Sequence, residues 1–210
     1  CELILMFGGM PLKNAKVSSG GVGKHSAEIG MKSCINNGIQ FINISPLKSD
    51  APSFLNAQQI SIRPNTDTAL MLCLAFILVT KGKYDKNFIN KYTVGFEEFK
   101  KYICGQKNSP ACTPEWCSKI TKIPLNIITK LADDIVRKKT LISMSWSLQR
   151  ASRGEQPLWA GITLASMLGH IGTAAGGFGF GYSAVNSTGD SFKKIPWQSL
   201  PQGKNKVKDF

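Results

Sequence analysis

Leu3-Ile4-Leu5-Met6-Phe7-Gly8-Gly9 is an unbroken apolar run that stops on two glycines. A short run with no polar alternation suits a strand buried on both faces, and such strands belong to parallel sheets covered by helices. The same pattern recurs further along the chain. A helix over about residues 26–36 stops at Asn37-Gly38, with Gly38 as its left-handed cap. Gln40-Phe41-Ile42-Asn43-Ile44 is a second strand ended by Ser45-Pro46, and Gln59-Ile60-Ser61-Ile62 a third ended by Arg63-Pro64. Asn65 or Thr66 then caps a long apolar helix that runs to about Lys81. Strands are predicted at about 3–7, 40–44, 59–62 and 140–146. Alternation of strand and helix predicts an α/β fold: a Rossmann-like, mainly parallel sheet flanked by helices.

Between the third and fourth strands the chain reads as helical. Thr113-Pro114-Glu115 starts a helix with a cap, a proline at the first position and an acid in the first turn. Pro124 opens another, to about Lys139, with Ile128, Leu131, Ile135 and Val136 expected on one face. After the fourth strand, Gln156-Pro157 begins a helix to Leu168. From Gly176 the periodicity ends: Gly176-Gly177-Phe178-Gly179-Phe180-Gly181 reads as a glycine-aromatic loop. The expected organisation is a Rossmann-like domain over residues 1–175 and an irregular extension over 176–210 leading to a neighbouring domain. A chain that opens on a core strand without an initiator methionine is expected to be a piece of a longer protein.

The 210 residues carry a net charge of +13 with 19% charged residues. The lysines behind it are scattered, which suits a solvated surface, an anionic phosphate ligand or nucleic acid. Nucleic acid is disfavoured, because arginine is scarce and no basic-aromatic recognition motif is present. The longest apolar run, Ala69 to Val79, is too short to cross a bilayer, so no membrane insertion is expected. Six cysteines show no C-x-x-C spacing, and Cys73 reads as a small core residue. Neither Cys104, Cys112 and Cys117 nor the separated His25 and His170 support a metal or catalytic assignment.

In open α/β sheets ligands bind beyond the C-terminal strand ends, where the strand order reverses. Four segments are expected there. Gly8-Gly9 with Lys13-Asn14 would let a phosphate approach the backbone, although this is not the G-x-G-x-x-G fingerprint. Ser45 is either a ribose partner or the cap of a Pro46 turn. Asp67, after Arg63-Pro64-Asn65-Thr66, either complements the helix dipole at an exposed terminus or accepts two hydrogen bonds from guanine. Trp146-Ser147-Leu148-Gln149-Arg150 either presents an arginine to a phosphate or carboxylate or packs Trp146 inward, with Arg150 in a surface ion pair.

At these residues the chain resembles the reductases of S- and N-oxides that carry a bis(molybdopterin guanine dinucleotide) molybdenum cofactor. Met10-Pro11-Leu12-Lys13-Asn14 resembles their aspartate-proline-x-lysine-asparagine/threonine loop. Ile44-Ser45-Pro46-Leu47-Lys48-Ser49-Asp50 is similar to their isoleucine-asparagine-proline-x-arginine-threonine-glutamate segment. Arg63-Pro64-Asn65-Thr66-Asp67 resembles their arginine-proline-glutamine-threonine-aspartate stretch. Trp146 to Arg150, Gly154-Glu155-Gln156-Pro157, Gly176 to Phe180 and Leu200 to Asn205 recur in the same order. The later stretches favour the trimethylamine-N-oxide, dimethyl-sulfoxide and biotin-sulfoxide branch.

The resemblance implies that Lys13, Asn14, Ser45, Asn65, Thr66, Asp67, Trp146, Ser147 and Arg150 line a dinucleotide site. Met10 and Ser45 depart from the family, which carries aspartate and, more often, asparagine there. The resemblance further implies reduction of an oxide, foremost trimethylamine N-oxide, by a whole enzyme. Its partners would be the remaining domains of the same polypeptide, the small oxide and a c-type cytochrome donor. It implies a periplasmic location in anaerobic respiration, or a cytoplasmic one for the biotin-sulfoxide branch. No residue of the 210 is nominated as catalytic or metal-ligating, so the chain alone is expected to be inactive. The alternative is a stand-alone nucleotide-binding module without catalysis.

Overall fold

The computed structural model describes residues 1–15, 25–106 and 109–182. Five strands form one parallel sheet: β1 (Leu3–Phe7), β2 (Gln40–Ile44), β3 (Gln58–Ile60), β4 (Thr140–Met144) and β5 (Gly177–Phe180). Their spatial order is β3-β2-β1-β4-β5, every neighbouring pair parallel. The chain therefore builds outward from β1 in one direction, then returns to β1's other side. That reversal, between β1 and β4, is the place where the loops on the two sides diverge and leave a crevice.

β1 is buried along its whole length. Leu3, Leu5 and Phe7 point to a large cluster, with Ile42, Ile44, Ile142 and Met144 beside them. Ile4 and Met6 point to a smaller one with Met10, Met31 and Phe41. Strand periodicity divides the two cores in this way. The smaller core is covered by α1 (Leu12–Ala15) and α2 (Ala27–Asn36). The larger one is covered by α3 (Asp67–Thr80) and the other helices: α4 (Lys86–Tyr92), α5 (Phe96–Ile103), α6 (Pro114–Thr121), α7 (Leu125–Arg137) and α8 (Glu155–Met167). α3 lies at the centre of this layer, packed against α5, α6, α7 and α8. That position explains a helix with buried residues all round its axis.

Two of the predicted caps form: Thr113 accepts the amide of Trp116, and Gly38 has φ +75°. Two strands are shorter than expected. β3 stops at Ile60 because Arg63 turns away to donate its amide to Thr121 of α6. β4 stops at Met144, and Trp146–Gln149 is a 3-10 turn. The glycine-aromatic stretch is not a loop: residues 177–180 form the fifth strand. Its glycines are contact points. A β-carbon on Gly179 would lie 2.1 Å from the Tyr182 ring. On α8, a β-carbon on Gly161 would lie 3.0 Å from Met144 Sδ and 3.2 Å from the Phe178 ring, so a bare helix face lets α8 approach the sheet. All six cysteines are free thiols. Burial, with Cys117 and Cys104 nearby, pushes the Cys112 thiol up to about 11, so it behaves as a core side chain.

Candidate functional site

At the C-terminal edge the loops are stitched together by backbone hydrogen bonds. Gly8 donates to Ile44, Ser145 to Phe7, Ser45 to Ile60 and Gly181 to Met144, which carries the ladder one residue past each strand. Beyond it, Met10 donates to the Asp50 carbonyl at 2.8 Å. Gly8, at φ +76°, abuts the β4 loop: a β-carbon there would lie 2.9 Å from Ser145 Cβ and 3.2 Å from Ser147 Oγ. Gly9, at φ +78°, abuts the β2 loop, where a β-carbon would lie 2.5 Å from Asp50. The two glycines of the opening motif thus let three loops converge, and any side chain would separate them.

Ser45 is buried, and its hydroxyl donates to Asp50 Oδ2 and accepts the Leu47 amide. The hydroxyl therefore orders the β2 loop from within. Sequence reading missed Asp50 as this partner, because a contact five residues away has no periodic signature. The neighbouring Asn43 is buried as well. Its amide nitrogen donates to Leu47 O and Gln59 Oε1, and Gln59 in turn donates to Ser45 O.

Lys13 and Asn14 are exposed. Lys13 borders a groove of about 360 Å³ with Ser49, Ser53 and Phe54, on the side of the smaller core. Asn65, at φ +62°, borders a different groove of about 770 Å³ between the starts of α3 and α8, with Thr68, Tyr102, Arg153, Gln156 and Trp159. The structure thus brings Asn65 beside the loop that follows β4, and leaves Lys13 in another groove. The proximity of the two helix starts could not be read from periodicity, since it depends on how α3 crosses the sheet. Thr66 precedes α3, but its hydroxyl donates to Arg63 O rather than capping the helix.

Asp67 is not at an exposed terminus. It is 5% exposed, and its own amide donates to its carboxylate. Burial raises its carboxyl to about 6, that amide lowering it only in part. Leu70 and Met71, which follow it in α3, are buried in the core as well. Trp146 is half-exposed, its ring 6.0 Å from that of Phe180. Its indole nitrogen lies against Gly181, where a β-carbon would be 2.0 Å away. Ser147 and Arg150 are exposed, Ser147 Oγ meeting Ser145 Oγ at 3.0 Å, and Arg150 makes no ion pair among the described residues. Phe180 and Gly181 went unrecognised, although the alternation of glycine and phenylalanine was a signal of period two.

The family model for molybdopterin oxidoreductases matches residues 2–208. The chain belongs to the molybdopterin oxidoreductase family. Membership implies a molybdenum–molybdopterin cofactor. Biotin sulfoxide reductase of Cereibacter sphaeroides is 40% identical over 191 residues, 91% of this chain and 26% of the relative. Dimethyl sulfoxide/trimethylamine N-oxide reductase of Rhodobacter capsulatus is 37% identical over 181 residues, 86% of this chain and 22% of the relative. Trimethylamine-N-oxide reductase of Haemophilus influenzae is 37% identical over 185 residues, 88% and 22% of the two chains. The chain thus spans about a quarter of the length of these relatives. Acetylene hydratase from Pelobacter acetylenicus is similar in fold, with TM-score 0.64 over 82% of this chain and 22% of that one, at 21% identity. Where the family's first loop carries an aspartate, Met10 is buried in the smaller core.

Proposed function

We propose that this chain forms part of an oxide reductase and holds the guanine end of one molybdopterin guanine dinucleotide. The observation that carries this reading is Asp67, a carboxylate nine-tenths buried at the start of α3, which among the described residues is hydrogen-bonded to its own amide. A buried carboxylate without a cation or further donors is costly, and two donors on one ligand edge would relieve it. Guanine offers N1–H and the N2 amino group side by side; adenine offers an acceptor in place of the first. The residues fit a guanine dinucleotide in other respects. Asn65 and Thr66 flank Asp67, Ser147 and Arg150 are exposed at the reversal point, and Lys13 and Asn14 are exposed after β1. Arg150 would pair with a phosphate, for which its planar fork is suited.

Bound, the molybdenum cofactor would supply the two-electron chemistry that removes oxygen from an oxide. This chain's own residues bind and orient; none of them is assigned a proton or electron transfer. The substrate supported best is trimethylamine N-oxide, because relatives at 35–40% identity are named for that oxide, dimethyl sulfoxide or biotin sulfoxide. The remaining domains of the polypeptide would supply the other cofactor contacts, and a c-type cytochrome is the proposed electron donor in a periplasmic enzyme. No helix of the described residues is long and apolar enough to cross a membrane.

The test is an NMR titration of the chain with GMP and AMP at pH 7.5. Wild type is expected to prefer GMP, with shifts at Asn65, Thr66 and Asp67, and Asp67→Asn to lose the preference while staying folded. Equal response to the two nucleotides would make Asp67 a structural residue and end the guanine reading.

A further inference from the structure

We infer that the groove between α3, α5 and α8 seats a helix from the part of the polypeptide outside these 210 residues; this rests on reading the chain as one segment of a longer reductase. The groove has a volume of about 770 Å³, and its walls are stripes of helical period. Thr68 and Leu72 stand four residues apart on α3, Gln156, Ala160 and Thr163 follow one another along α8, and Phe99 and Tyr102 lie three apart on α5. Residues at these spacings share one helix face, so each wall is a single face. From Gln156 to Thr163 the wall of α8 runs for about 10 Å, roughly two turns. A trench of that length between packed helices takes a further helix in the way that helix ridges fill helix grooves.

The chemistry of the lining selects the occupant. Its centre is apolar and aromatic, with Leu72, Phe99, Tyr102 and Trp159, and its rim is polar, with Asn65 and Gln156. Trp159 is 67% exposed and Tyr102 44%, so two large aromatic side chains of the groove stand open to water. An apolar centre inside a polar rim is the anatomy of a protein interface, and tryptophan and tyrosine are the side chains that most often anchor one. The lining carries one cation, Arg153, within electrostatic reach of one anion, Glu155. In a chain of net charge +13, so balanced a lining draws neither phosphate nor nucleic acid, and it suits the apolar stripe of an amphipathic helix. The source of that helix follows from length. The chain covers 22–26% of its relatives, so about three-quarters of such a polypeptide lies outside it. Because the groove borders Asn65, two residues from Asp67, a helix seated there also closes one side of the nucleotide site.

Hydroxyl-radical footprinting tests the inference, since exposed tryptophan and tyrosine are oxidised faster than covered ones. It is run on the 210-residue chain at two protein concentrations, with and without GMP, and on the full-length polypeptide that carries it. Trp159 and Tyr102 should react fast in the chain under every condition and several-fold more slowly in the full-length polypeptide. Trp159→Arg should restore fast oxidation of Tyr102 in the full-length polypeptide while leaving the thermal unfolding of the 210-residue chain unchanged. If that variant does not fold, the wild-type comparison decides by itself. Equal rates in the chain and in a full-length polypeptide that reduces trimethylamine N-oxide would overturn the docking and leave the reductase reading standing. Protection in a polypeptide that reduces no S- or N-oxide would support the docking and overturn the reductase reading. Slower oxidation of the chain at the higher concentration would give the groove to a second copy, and slower oxidation with GMP would give it to the nucleotide; either overturns the docking.

Discussion

Moving a carboxylate out of water without giving it a cation favours its neutral form, and Asp67 is in that situation. The sign of its effect on stability follows. The native state raises its carboxyl from 3.8 to about 6, so folded protein holds the proton more tightly than unfolded protein. The stability that this proton contributes is complete below pH 3.8 and is lost as pH rises through 6. Asp67→Asn, which cannot ionise, should therefore stabilise the chain by about 1–2 kcal/mol at pH 7.5 and by little at pH 4. Chemical denaturation at the two pH values checks it; a mutant less stable than wild type at pH 7.5 would show that the charge is held by an attraction the burial does not reveal. Ser45 illustrates a different relation. The sequence identified a hydroxyl at a strand end, but only the folded loop shows it donating to Asp50.

Among the elements, the loop from Trp146 to Gly154 is built with the least tolerance. A β-carbon on the buried Gly154 would lie 1.9 Å from the Gln149 carbonyl oxygen, and the backbone on neither side can move away without shifting the start of α8. Gly154→Ala is expected to cost about 3 kcal/mol or more, the range of severe overpacking and strain. Gly30, exposed in α2 with nothing within 4 Å of its β-carbon position, should respond the other way. Gly30→Ala should stabilise the chain by about 0.5–1 kcal/mol, because alanine is the better helix former. Thermal unfolding of the two variants gives the comparison, and equal melting points would contradict the packing described for the loop.

For the whole molecule, the chain spans 22–26% of the length of relatives at 37–40% identity, and Asn65 and Lys13 line two separate grooves. Purified alone, it should retain no stoichiometric molybdenum and reduce no trimethylamine N-oxide. Elemental analysis near one molybdenum per chain would show a complete cofactor site within these 210 residues. Much of the architecture was legible beforehand. Unbroken apolar runs such as Leu3 to Phe7, glycine and proline stops and an all-apolar central helix are local properties, so the sequence by itself determined the four principal strands, the helices between them and the α/β class. It also placed four loops at one sheet edge, since parallel strands put every such loop at the same end. The tertiary structure alone decided that residues 177–180 complete the sheet, that Asn65 faces the loop after β4 while Lys13 lies in another groove, and that Asp67 is buried. Those facts depend on which distant side chains approach: Tyr182 over Gly179, α8 against α3, and the start of α3 buried together with Leu70 and Met71. Burial and proximity are properties of the packed chain, and periodicity along the chain carries no record of them.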